Sequence, residues 1–306
     1  MAASPATIVS PVTDLQLALP DGRLLTYLDV GDSAGVPVIY SHGAPSGKLE
    51  THFFGLHDAA VAAGLRLIVP DRPGVAGSTP HGTRTLLDWG HDVGAVADAL
   101  ECDRFALLGY SVGGAFALAA RHVNAARVTA TAIVSGIGPA DIPGMTDGRS
   151  ADVSRIFALA VRAPRLTGAM LRFMRFGTKS PERMIAATGK GMPAADRAVA
   201  ERPGAAEPFA AFLADALRVT TAGALRDLQL AAGPWGFTPQ PTASPLEIWH
   251  GGADANAPIA SAHWLQSQLP DAVAHLSAQD GHISLFDREA VAVLQRIADL
   301  TRAPRA

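Results

Sequence analysis

A single cysteine, Cys102, among 306 residues excludes an intrachain disulfide, and nothing in the chain requires an oxidising compartment. Lysine is almost as scarce, with only Lys48, Lys179 and Lys190, so arginine carries nearly all the positive charge. The formal net charge is −3, which leaves no electrostatic case for binding nucleic acid. Apolar residues make up 48% of the chain, much of it alanine. No apolar run approaches the ~18 residues that cross a bilayer. A small-molecule substrate, without a nucleic acid or a membrane, is therefore the expected partner, and the oligomeric state is not legible. The N-terminus lacks the cationic start and apolar core of a signal peptide, so the cytoplasm is the default location. Cofactor motifs are missing as well. Gly43-Ala44-Pro45-Ser46-Gly47-Lys48-Leu49 is one residue short of a phosphate loop, with Leu49 where magnesium needs a hydroxyl. There is no dinucleotide Gly-x-Gly-x-x-Gly, no cysteine cluster and no His-x-x-x-His pair. Neither a cofactor nor a metal is expected.

What is present alternates between two periods. The first dozen residues read as a loose tail. Residues 15–19 and 24–30 flank the turn Pro20-Asp21-Gly22 and predict a hairpin. Short apolar runs at 36–41, 65–70, 105–108, 128–135, 246–249 and 273–276 read as strands, the first of them buried. Helical spacing falls between them at 49–63, 84–100, 258–269 and 284–302. This alternation predicts an α/β fold, a mostly parallel twisted sheet with helices on both faces. The pattern breaks between Ile137 and Gln240, where helical spacing continues without a buried strand. The expected organisation is a core of residues 1–136 and 241–306 with an inserted helical cap at 137–240. Arg162, Arg165, Arg172 and Arg175 of that insert read first as a solvated helix face and second as a site for a carboxylate substrate. Its methionines and phenylalanines read first as core and second as an apolar pocket.

The segment Phe105–Ala120 joins an apolar strand to an alanine-rich helix through Gly109-Tyr110-Ser111-Val112-Gly113. A serine on so sharp a turn is lifted above the sheet, and a Cβ at Gly109 or Gly113 would crowd the bend. The plainer role for Ser111 is to cap the helix. Acyl transfer also needs a base, an orienting acid and donors for an oxyanion. His282 follows the last strand and is the candidate base. Asp254 follows the strand before it and is the candidate acid, with Asp141 as runner-up and Asp280 as a turn residue. The candidate oxyanion donors are the backbone N–H groups of Val112 and Ala44, since Pro45 has none to give. His42 reads as a hydrogen-bonded loop support, and Cys102 as a small residue at the core edge.

These segments, with Ser41-His42-Gly43, Asp71-Arg72-Pro73-Gly74-Val75-Ala76-Gly77-Ser78, His250-Gly251-Gly252-Ala253-Asp254 and Gly281-His282, run in order over about 240 residues. Together they resemble the capped serine α/β-hydrolase family, an α/β-hydrolase fold with a helical lid. Ala76 stands where that family usually has a larger polar residue. The resemblance implies Ser111 as nucleophile, with Asp254 and His282 completing a triad and Ala44 and Val112 an oxyanion hole. Members that attack saturated carbon carry aspartate in place of Ser111. Serine implies an acyl-enzyme and hydrolysis of an ester, lactone or related acyl bond. C–C bond hydrolysis, aminopeptidase, lyase or natural-product tailoring chemistry stays open on the same fold, as does a non-catalytic ligand-binding role.

Overall fold

The computed structural model describes residues 14–302; the predicted N-terminal tail lies outside them. Eight strands form one sheet: β1 (Leu15–Ala18), β2 (Leu24–Gly31), β3 (Val36–Ser41), β4 (Leu65–Pro70), β5 (Phe105–Tyr110), β6 (Val128–Val134), β7 (Leu246–Gly251) and β8 (Val273–Ser277). Their order is β1-β2-β4-β3-β5-β6-β7-β8. The β1–β2 and β2–β4 pairings are antiparallel and the rest parallel. After β4 the chain returns across β3 to lay down β5 on its other side. The carboxyl ends of β3 and β5 therefore flank the point where strand order reverses, the usual place for a ligand crevice in such sheets.

Helices cover both faces of the sheet, as the alternation predicted. On one face α3 (Leu86–Ala99) and α4 (Val112–Val123) pack together, and Trp89, Val93 and Phe116 fill the core between them and the sheet. On the other, α2 (Leu56–Ala63) lies beside α12 (His282–Arg302) over Leu67 and Val69, with Phe286 of α12 in the same core. The continuous helix expected at 49–63 is instead two, because Gly55 adopts φ 64° between α1 (Glu50–Phe53) and α2. Among the described residues, no helix is long and apolar enough to cross a membrane.

Between β6 and β7 the chain forms α5 (Ala151–Arg162), α6 (Pro164–Gly177), α7 (Pro181–Thr188), α8 (Ala194–Ala200), α9 (Ala206–Ala216) and α10 (Ala222–Ala231). Buried ion pairs tie this insert to the sheet. Asp227 of α10 binds Arg72 at 2.8 Å and also pairs with Arg84; all three side chains are fully buried. Lys48 bridges Asp71 at 2.8 Å and Asp215 of α9 at 3.0 Å.

Candidate active site

Ser111 follows the fully buried β5 and opens onto α4 with φ 57° and ψ −126°. A left-handed turn at a non-glycine residue stores strain, held here by hydrogen bonds from Ser111 N to Val134 O at 3.0 Å and Gly114 N to Ser111 O at 3.0 Å. A Cβ on Gly113 would collide with the Ser41 carbonyl, and one on Gly109 with Gly113 and Ala117. The turn is thus closed to any larger residue at these two positions. Ser111 makes no side-chain capping bond to α4, which disposes of the plainer reading. Its Oγ lies 2.9 Å from His282 Nε2.

His282 Nδ1 lies 2.8 Å from Asp254 Oδ2. The second oxygen of Asp254 accepts the Asn256 and Ala257 N–H groups, each at 2.8 Å. The carboxylate is thereby aimed by its own loop while one oxygen stays on the imidazole. His250 braces the same loop through Ala257 O at 2.7 Å. The three sequence candidates, from loops after β5, β7 and β8, form one hydrogen-bonded chain. Asp141 is exposed and outside it. Asp280 pairs with Ser277 and Arg288, as a turn residue does.

Burial lowers the proton affinity of His282, but the Asp254 charge and hydrogen bond outweigh it, with Asp196 and Glu50 adding to them. The net effect lifts its pKa above the ordinary 6.5. The backbone of His282 is held as firmly as its ring. Its carbonyl accepts from Ser135 Oγ at 3.1 Å and Tyr110 OH at 3.3 Å. Its N–H donates to Asp196 Oδ2 at 2.9 Å, while Asp196 Oδ1 accepts from Ile283 N, Ser284 N and Ser284 Oγ. Asp196, on α8 of the insert, therefore caps α12 from 86 residues away and places its charge at that helix's positive end. Sequence reasoning missed it, since capping signals are local and this cap comes from another element.

The loop after β3 forms the facing wall. Arg72 grips the His42 and Gly43 carbonyls at 2.6 and 2.7 Å. Glu50 accepts Gly43 N at 2.8 Å, Tyr40 OH at 2.6 Å and Ser46 Oγ at 2.5 Å. Burial pushes the Glu50 carboxyl up, against the pull of those donors. With Gly43 N engaged, the next donor along the loop is Ala44 N; neither it nor Val112 N has a hydrogen-bond partner among the described residues. Glu50 was not a sequence candidate, because no motif distinguishes it from a solvated helix-start acid. His42 is buried, bonded through Nδ1 to Gly43 O at 2.8 Å and through Nε2 to Arg72 N at 3.3 Å. Burial and the nearby Arg72 charge hold its pKa well below the usual range, which suits a support.

Ser111, His282, Ala44 and Val112 open into a cavity of about 260 Å³. Its other walls are largely apolar, with Phe53 and Phe54 from the core and Phe157, Met174, Phe209 and Phe212 from the insert. Part of the insert's aromatic and methionine content thus serves both core and pocket. Among the described residues, no three His, Cys, Asp or Glu side chains converge as metal ligands would.

Residues 38–295 match the model of the alpha/beta hydrolase family. The chain belongs to that family. It is 32% identical over 124 residues to the dihydrolipoyllysine-residue acetyltransferase component of an acetoin cleaving system from Pseudomonas putida, covering 40% of this chain and 33% of that protein. It is 32% identical over 155 residues to a non-heme chloroperoxidase from Streptomyces lividans, covering 47% and 53%. The chain thus spans a third to a half of these relatives' length. An esterase from Rhodococcus sp. has a similar structure, with a TM-score of 0.68 at 20% identity, over 94% of this chain and 99% of that one.

Proposed function

We propose that this protein is a serine hydrolase that cleaves an ester, lactone or related acyl bond of a small to medium apolar substrate. Ser111 attacks the acyl carbon and His282 takes its proton, with Asp254 fixing the imidazole and stabilising its charged form. The Val112 and Ala44 N–H groups receive the oxyanion, Val112 also sitting at the positive end of α4. His282 then returns the proton to the leaving group, and later draws one from the water that hydrolyses the acyl-enzyme. No cofactor enters these steps. The observation that carries the reading is the Asp254–His282–Ser111 chain of bonds, at 2.8 and 2.9 Å, opening into an apolar cavity.

The insert acts as a lid in this proposal, dividing the chain into a core of residues 1–136 and 241–306 and a cap at 137–240. It supplies most of the apolar wall. The cavity's one lining carboxylate among the described residues, Glu50, already accepts three donors. No acid is left to hold a substrate amine, which favours an ester or lactone over an aminopeptidase substrate. The lone buried Cys102 agrees with a cytoplasmic location. Steady-state hydrolysis of a p-nitrophenyl ester series tests the reading. Short and medium acyl chains are expected to turn over, with kcat/KM falling by at least about a thousandfold in Ser111→Ala. Undiminished turnover by that variant would overturn the proposal.

A further inference from the structure

Helix α6 carries a surface that neither the core nor the cavity uses. Its inner side packs through Leu171 and Met174, the latter reaching the cavity wall. On its outer side Leu166, Met170 and Phe173 follow at i, i+4 and i+7, with Phe176 one turn on. Their exposures are 53%, 43%, 78% and 57%. Spacing of this kind stacks the side chains along one face. Val161, near the end of α5, is 55% exposed as well. Scattered exposed leucines need no explanation, but two phenylalanines and two aliphatic neighbours on one helix face do.

The charge along this stretch of chain is of one sign. From residue 153 to residue 181 there is no Asp or Glu, while Arg155, Arg162, Arg165, Arg172, Arg175 and Lys179 fall in the same interval. Arg155 pairs with Asp152, and Arg175 donates to the Leu217 and Arg218 carbonyls. Arg162, Arg165 and Arg172 have no ion pair among the described residues. Arg165 and Arg172, seven residues apart, share the flank of the apolar stripe. Lys179 Nζ stands 5.6 Å from the centre of the Phe176 ring.

We propose that the outer face of α6 docks on an anionic lipid surface. The apolar stripe enters the acyl boundary, and the long arginine stems lie along it with their guanidinium groups at the phosphates. Charge decides between this occupant and a second copy of the chain. A two-fold contact through the same patch would set these cations against their own equivalents, whereas anionic headgroups neutralise them. An interfacial helix lies in the surface and needs no spanning run, so the lack of one in this chain does not bear on it. The docking itself does not depend on the hydrolase reading.

Co-sedimentation of the full chain with vesicles tests the proposal, using phosphatidylcholine alone and phosphatidylcholine mixed with phosphatidylglycerol. Binding is expected to the mixed vesicles, weakening as salt screens the charges. Each cation near an anionic surface contributes about fivefold, so Arg165→Glu/Arg172→Glu should weaken binding by at least about tenfold. Phe173→Ser/Phe176→Ser should abolish it, with an unchanged circular dichroism spectrum because both side chains are exposed. Ser111→Ala should bind like the parent chain, which separates this test from the fate of the hydrolase reading. Binding to neither vesicle, or binding that the charge reversals leave intact, overturns the proposal. So does a dimer that Phe173→Ser/Phe176→Ser dissolves in a chain that ignores vesicles.

Discussion

His282 sits between opposing influences, with burial favouring the neutral ring and the carboxylates of Asp254, Asp196 and Glu50 favouring the cation. The carboxylates prevail, and the sign of the pH dependence follows. A general base works only when unprotonated, so kcat/KM for a neutral ester should fall as pH drops through a midpoint above 6.5. Asp196→Asn removes one of the charges and keeps much of the shape, and should move that midpoint down. A pH–rate profile reads both, and an unmoved midpoint would mean that the Asp196 charge is not felt at the ring. Ser111, Asp254 and His282 were legible in the sequence because each follows an apolar strand in a short turn. Asp196 and Glu50 were not, because their partners lie on other elements and neither belongs to a local pattern.

The elements themselves were largely legible, and the departures have physical causes. Strand β3 falls where the apolar run placed it, while β5 runs on to Tyr110 and β7 to Gly251, since glycine and polar residues near strand ends blunt the apolar signal. Helix α12 begins at His282 rather than at the predicted Ser284. Its first N–H groups bind a carboxylate from α8, so no local capping residue marks the start. Asp196→Ala should therefore destabilise the fold by about 2 kcal/mol, the loss of a helix cap made by a charged acceptor, measurable by urea unfolding. At the strand-to-helix turn the demand is steric. Gly113→Ala drives a methyl group into the Ser41 carbonyl, and should cost about 3 kcal/mol or more because neither backbone can yield easily. A variant of near-normal stability would show that the turn relaxes more freely than its contacts indicate.

At the scale of the whole molecule, the insert and the sheet are joined by buried charge. Asp227 compensates Arg72 and Arg84 together, with all three side chains out of solvent. Asp227→Ala should lower stability by about 4 kcal/mol, the usual cost of leaving a buried charge unpaired. Hydrogen exchange should then quicken first in α5 and α10, which pack on one another. These contacts join segments more than 140 residues apart, beyond what periodicity reports, so the attachment of the insert was invisible in the sequence while its helical character was plain. The same long-range assembly brings Ser111, Asp254 and His282 together, and the activity proposed here rests on that convergence. Intact-protein and peptide mass spectrometry after reaction with a fluorophosphonate tests it most directly. The account predicts one adduct per chain, carried on Ser111, lost in Ser111→Ala and slowed by at least about a hundredfold in His282→Ala. An adduct on another residue, or labelling at Ser111 that is indifferent to His282, would contradict it.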